Sequence, residues 1–169
     1  MSPATHAVVP DTRNASILVG MRDGVSLDFS LVPKEKAVVS VFDSCFLLGD
    51  GCWEGIRMKQ GVMQFAKVSF ASFSSFEIFS HAHILPATQE HIDRLFETAK
   101  ALFMNLHLTK GELLDYIHQT IDANGMQTSD DVHVRLVVSR GLKDTPHQNP
   151  RATIGVSTLD GSFCSEKTS

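Results

Sequence analysis

By type and setting, Arg94 is the side chain best suited to chemistry. It stands in Glu90-His91-Ile92-Asp93-Arg94-Leu95. A guanidinium grips phosphate or carboxylate with a planar, charge-assisted fork. The plain alternative is a solvated helix arginine paired with Glu90 or Glu97, its helical neighbours. Arg135 is a second cation, set inside the apolar run Val132-His133-Val134-Arg135-Leu136-Val137-Val138. A charge buried in such a strand needs a partner. Alternation with Val134 and Leu136 offers the other outcome, a side chain that faces solvent. His81-Ala82-His83 puts two imidazoles at alternate positions with no third ligand, so no metal site is expected. Cys45, Cys52 and Cys164 form an odd set with no C-x-x-C pair. That argues against a zinc site or disulfide framework, and for a reducing compartment, cytoplasmic first and mitochondrial second.

Strands and two helices must position these groups. Ser16 to Met21 and Val25 to Val32 flank the turn signal Arg22-Asp23-Gly24 and predict a hairpin. Ala37 to Phe42 is β-rich and reads as buried on both faces. Gly49-Asp50-Gly51 marks a tight bend. Cys52 to Lys59 and Val62 to Ala66 flank Gln60-Gly61, a second hairpin signal. From Glu90, the apolar residues Ile92, Leu95, Ala99 and Leu102 share one helical face. Thr109-Lys110-Gly111-Glu112 is a capping-box pattern opening a second helix. The apolar face of that helix is Leu113, Leu114, Ile117 and Ile121, and its stop is Asn124-Gly125. Val132 to Ser139 reads as a strand, Gly141 to Pro150 as a polar loop, and Ala152 to Val156 as the start of another strand. Strands, then helices, then strands predict an α/β (α+β) fold: a mixed, mainly antiparallel sheet with two helices on one face.

Composition narrows the class. The chain has 169 residues, 43% hydrophobic and 20% charged, with net charge −4. One domain with an ordinary core is expected. The charge balance gives no footprint for nucleic acid. No run of eighteen apolar residues offers a membrane span. Met1 to Pro10 lacks the basic start and apolar block of a signal peptide. Asn14-Ala15-Ser16 is therefore read as a chance match to a glycosylation sequon.

Residues 68–89 differ from their surroundings. Nine of these 22 residues are Phe or Ser, with Phe at 70, 73, 76 and 79. Ser-rich helix interiors are weak, and four Phe on one stripe need cover. Val68-Ser69 can be encoded by GTAAGT, a common intron start, and Gln89 by CAG, a common intron end. The same dipeptide recurs at Val156-Ser157. The expectation is an inserted segment at 68–89, a translated intron, and an aberrant tail at 156–169 begun by a second one. Residues 1–15 read as a loose arm and 16–155 as the domain.

Two blocks carry a resemblance. Val39-Ser40-Val41-Phe42-Asp43-Ser44-Cys45-Phe46-Leu47-Leu48-Gly49-Asp50-Gly51-Cys52-Trp53-Glu54-Gly55-Ile56-Arg57 resembles the opening of the class IV aminotransferases. This pyridoxal-phosphate family includes the branched-chain and D-amino-acid aminotransferases and aminodeoxychorismate lyase. Glu90-His91-Ile92-Asp93-Arg94-Leu95 resembles that family's phosphate-binding segment, though the blocks stand farther apart here. The resemblance implies the family's small N-terminal domain over roughly 16–67 and 90–155. It implies that Arg94 contacts the phosphate of pyridoxal 5'-phosphate. It places Phe46, Leu48 and Trp53 along the pocket for the substrate side chain, where plain core packing is the alternative. It sets Arg135 at the border of the substrate site. Ser139-Arg140-Gly141 resembles the turn that ends this strand in D-amino-acid relatives, so Arg140 is a further carboxylate-binding candidate. Gly49-Asp50-Gly51 looks closer to the D-amino-acid side, and Glu54-Gly55-Ile56-Arg57 to the branched-chain side. Cys45 stands where relatives commonly carry a small residue.

Transamination also needs a lysine that bonds the cofactor and shuttles a proton, and an acid for the pyridine nitrogen. In the family both come from a C-terminal domain. No lysine here, Lys143 included, lies in a segment resembling the catalytic one, so that domain is expected to be absent and no catalytic residue is assigned. The implied activity moves an amino group between an amino acid, branched-chain or D-, and a 2-oxo acid. This chain reads as an incomplete, inactive fragment of such an enzyme. The alternatives are a non-catalytic fragment that pairs with full-length subunits, or an enzyme like aminodeoxychorismate lyase. Family members are commonly dimers, so a homodimer is a further expectation, with no nucleic-acid or membrane partner.

Overall fold

β1 (Leu18–Arg22) and β2 (Phe29–Pro33) pair antiparallel, as the turn signal between them predicts. The Asp23 carboxylate closes the turn by accepting from the amides of Val25 and Ser26. A computed structural model describes residues 14–64, 86–143 and 152–160 of this chain. The pair His81 and His83, the four Phe from 70 to 79, the arm before residue 14 and the tail after residue 160 lie outside them. Among the described residues no helix is long and apolar enough to cross a membrane.

After β2 comes a short 3₁₀ turn at Lys34–Lys36, then α1 (Ser44–Leu48), β3 (Gly51–Lys59) and β4 (Val62–Gln64). The helices α2 (Pro86–Ala101) and α3 (Lys110–Ala123) follow. β5 (Val132–Ser139) and β6 (Thr153–Asp160) complete a six-stranded sheet of order β2-β1-β6-β5-β3-β4. Every pairing among these strands is antiparallel. The β3–β4 turn uses Gln60 and Gly61, both at positive φ (51° and 76°). That is the backbone a two-residue hairpin demands, and glycine supplies one of its two positions without strain.

Both helices pack on one face of the sheet. Thr109 and Glu112 form the capping box at the start of α3. Gly125, at φ 63°, follows its end. Its stripe of Leu113, Leu114, Ile117 and Ile121 is buried, as the spacing predicts, and so are Ile92, Leu95 and Ala99 of α2. These meet the inward residues of β3, β5 and β6, among them Ile56, Met58, Val134, Leu136 and Val156. Each fully buried Leu or Ile contributes about 1.5–3 kcal/mol of hydrophobic stabilisation. α3 sits so close to β1 that a Cβ on Gly20 would lie 2.5 Å from Thr120 Oγ1.

One expectation is corrected, and two proposed segment boundaries fall inside regular elements. Residues 37–42 form no strand and are not buried: Val38, Val41 and Phe42 are 61–73% exposed, because no strand or helix of the described residues covers them. α2 begins at Pro86, inside the proposed insertion, and Gln89 already bonds Asp93 one turn on. A proline suits a first helical position because its missing N–H had no partner to lose. The tail boundary at 156 falls inside β6, which runs on to Asp160 paired with β5. Val156 and Thr158 are fully buried there.

Candidate functional site on the two faces of β3

β3 alternates strictly. Cys52, Glu54, Ile56 and Met58 point inward under α2, and Trp53, Gly55, Arg57 and Lys59 point outward. The sequence-derived site residues divide along this alternation.

On the outer face, Trp53 is 66% exposed and pairs across the strands with Val137. Gly55 pairs with Arg135. The indole lies over Gly55, where a Cβ would be 3.6 Å from the ring, an ordinary van der Waals contact. Arg135 completes the group, its guanidinium 5.6 Å from the indole centroid. Cation–π contact of this kind at an exposed site is worth about 0.5–1 kcal/mol. Of the two outcomes left open for Arg135, the outward one holds. Trp53, Val137 and Arg135 line an open cavity of about 470 Å³ with Cys45, Gly49 and Gly51. Phe46 and Leu48 stand on α1 between Cys45 and Gly49, exposed at 70% and 64% and not lining the cavity. Cys45 fits beside the cavity because its thiol occupies the space a side chain on Gly51 would need. Burial pushes the Cys45 thiol pKa up, assisted by Asp43 and Asp50. Cys52 is raised further, to about 11, again mainly by burial. Neither is a ready nucleophile.

On the inner face, Glu54 is a carboxylate among core residues, with its side chain 8% exposed. Arg94 of α2 meets it with two parallel bonds, Nε to Oε1 at 2.5 Å and Nη2 to Oε2 at 2.8 Å. His91, one turn back and 10% exposed, lies with Nδ1 3.0 Å from Oε2. The same Nδ1 lies 3.1 Å from Arg94 Nη2, so carboxylate, imidazole and guanidinium meet in one three-way contact. Hydrogen bonding from Arg94, and then from His91, holds the Glu54 carboxyl below its ordinary range against the opposing effect of burial. Arg94 therefore pairs with Glu54, forty positions away in sequence, and the charge of Glu90, its helical neighbour, adds to the pull on the same guanidinium. Its side chain is still 52% exposed, so the guanidinium is clamped along one edge and reachable from solvent.

Arg140 has a third position. Its Nε donates to Asp50 at 2.7 Å and its Nη2 to the Leu102 carbonyl at 2.6 Å, with the side chain only 11% exposed. Lys143 reaches the same Asp50 oxygen at 2.7 Å. Arg140 grips an internal carboxylate and the chain just after α2, which fixes the Gly49–Gly51 bend beside the cavity. In this arrangement Arg140 is a largely buried cation held in place beside the cavity.

The residue that sequence reasoning missed is Glu54. The signal was present: an acid in the inward register of an alternating apolar strand, which burial obliges to find a cation.

A family model for Amino-transferase class IV matches residues 76–162. The chain is 36% identical over 120 residues to a putative branched-chain-amino-acid aminotransferase of Methanocaldococcus jannaschii, covering 71% of this chain and 33% of that one. It is 34% identical over 149 residues to branched-chain-amino-acid aminotransferase-like protein 1 of Arabidopsis thaliana, covering 88% of this chain and 21% of that one. The fold matches a solved branched-chain aminotransferase of Thermoproteus uzoniensis with TM-score 0.62 at 20% identity, over 85% of this chain and 40% of that one. The chain thus spans a fifth to a third of the length of these curated relatives.

Proposed function

The chain belongs to the class IV aminotransferases, and from that premise we propose that it supplies the substrate side and the phosphate contact of an amino-transfer site. The family depends on pyridoxal 5'-phosphate. That group, when bound, supplies the electron sink for moving an amino group between an amino acid and a 2-oxo acid. The residues here suit it in one respect: Arg94 is a half-exposed guanidinium already oriented by a fixed carboxylate. In this reading Arg94 holds the phosphate. Arg135 meets the substrate carboxylate. Trp53 receives an apolar side chain and excludes water, which favours branched-chain substrates over small polar ones; Phe46 and Leu48, outside the cavity wall, have no part in this contact. Proton transfer at the reacting carbon needs a lysine from outside these 169 residues, so the chain alone is inactive.

The observation that carries the reading is the cation beside an apolar wall on an open cavity: Arg135 against Trp53. This is what an amino acid with a hydrophobic side chain requires. Trp53 and Glu54 are consecutive, so the indole and the Arg94 guanidinium flank one stretch of β3. Among the described residues, Gly51 to Ile56 has no strand on its β4 side, and the reading places the ligand across that open edge. The test uses Trp53, the only tryptophan, as reporter. Titration with pyridoxal 5'-phosphate, then with leucine or 4-methyl-2-oxopentanoate, should quench its emission saturably, with loss of the second response in Arg135→Ala. No saturable change with any of the three ligands defeats the reading. An absorbance band near the visible that borohydride abolishes would overturn the inactivity of the chain alone.

A second copy of the chain is the proposed cover for the apolar run at 38–48. Val38, Val39, Val41, Phe42, Phe46, Leu47 and Leu48 are all 55–73% exposed. Contiguous apolar surface of this kind marks an interface. Light scattering should give a dimer mass that Leu47→Asp returns to monomer, and a monomer at all concentrations defeats the idea.

A further inference from the structure

We propose that Glu54 is a positioning residue: its carboxylate, braced by His91, sets the Arg94 guanidinium in the one orientation that receives a phosphate. The inference rests on the reading above that Arg94 is a phosphate contact, and adds how the contact is made.

An arginine side chain has four rotatable bonds and, on an exposed helix surface, holds no fixed direction. Ordering it on ligand binding costs about 0.5–1.5 kcal/mol for a long side chain. Here that ordering is complete beforehand. Two parallel bonds to Glu54 lock the plane of the guanidinium. Glu54 cannot turn, because β3 carries it inward under α2 and its side chain is 8% exposed. His91 fixes the remaining freedom of the carboxylate from the same helix that carries Arg94. Three side chains from two elements therefore form one rigid unit, and its half-exposed member is the cation. A carboxylate so close to a phosphate site also repels the phosphate. Orientation outweighs that repulsion here, because Glu54 is screened behind the cation it neutralises and the guanidinium can share its charge between two anions.

The experiment titrates the full chain with pyridoxal 5'-phosphate and, separately, with inorganic phosphate, following phosphorus resonances. Arg94→Gln should abolish binding of both. Glu54→Gln should weaken both by roughly tenfold, the scale for losing a partner that orients a binding group, and Glu54→Asp should recover part of the loss. The Arg94 Nε–H resonance should be sharp and displaced in the parent chain and averaged in Glu54→Gln, which a role in packing alone would not require. Should Glu54→Gln fail to fold, His91→Gln keeps the charge while loosening the brace, and an intermediate weakening is expected. If Arg94→Gln binds as the parent does, the reading of Arg94 itself fails. If Arg94→Gln loses binding while Glu54→Gln or His91→Gln keeps it or binds tighter, Arg94 stands and the positioning inference is overturned.

Discussion

The two faces of β3 handle charge in opposite ways. The inner face carries Glu54 under a helix, where water is excluded and every polar atom must be matched, so the carboxylate is held by Arg94 and His91 together. The outer face carries Trp53 and, from its neighbour strand, Arg135, where solvent satisfies the cation and the indole merely leans on it. One strand of nine residues thus builds a rigid unit on one side and an adaptable surface on the other. The difference follows from the carboxylate each arginine can reach: Glu54 fixes Arg94 on the inner face, Asp131 fixes Arg57 on the outer face with two bonds of its own, and Arg135 rests on the indole.

The comparison breaks most forcefully at the core. Ile56 is 1% exposed and lies between Glu54 and Met58 on the inner face. Ile56→Ala should cost about 2–5 kcal/mol, read as a lowered urea midpoint with unchanged slope. Trp53→Ala, two thirds exposed one layer away, should cost less than about 1 kcal/mol despite removing a larger side chain. Equal losses would mean that the outer face is covered in solution.

The arginines give the next contrast. Arg94→Ala leaves the buried Glu54 without its main partner, and breaking such a pair costs about 3–5 kcal/mol where both members are buried. Arg94 is half exposed, so water compensates in part and about 1–3 kcal/mol is expected. Arg135→Ala should cost no more than about 0.5–1 kcal/mol, the scale of an exposed cation–π contact. Acid should reveal the same asymmetry. The Glu54 carboxyl titrates below its ordinary range because Arg94 and His91 favour its charged form. The stability this confers is present above the pKa of the unfolded carboxyl, near 4.5, and is lost as pH falls through the lower folded value. Glu54→Gln should remove that part of the acid sensitivity, and Arg135→Ala should leave the acid profile unchanged.

How much of this was legible follows the same division. Local patterns carried the elements: the Gln60-Gly61 turn, the Thr109–Glu112 capping box and the alternation from Val132 to Val138 all stand where the residues placed them. Residues 37–42 misled because β-propensity says only that a side chain fits a half-buried surface, and no neighbouring strand of the described residues supplies one. The site was legible as a set of residues and not as an arrangement. The burial rule that made Arg135 suspect applied with more force to Glu54, since an acid in the inward register of β3 has no escape to solvent. What no local pattern could provide was the partner, because α2 is brought over β3 by tertiary packing, with Ile92, Leu95 and Ala99 buried in the shared core.

The smallest expected effect is the sharpest test of separation between the faces. Trp53 is the only tryptophan, so its emission reports one position without ambiguity. Arg135→Ala removes the cation stacked on the indole and should shift that emission with almost no change in stability, because an exposed cation–π contact is worth only about 0.5–1 kcal/mol. Arg94→Ala should do the reverse, lowering stability while the folded-state emission stays as it was. Its guanidinium lies across the strand, bonded to Glu54 and screened from the indole by the backbone of β3 itself. A Trp53 spectrum that answers to Arg94 as strongly as to Arg135 would mean the two faces are one coupled environment. The ligand proposed to bridge them at the open edge of β3 would then meet a site that adjusts as a whole, and not two halves prepared separately.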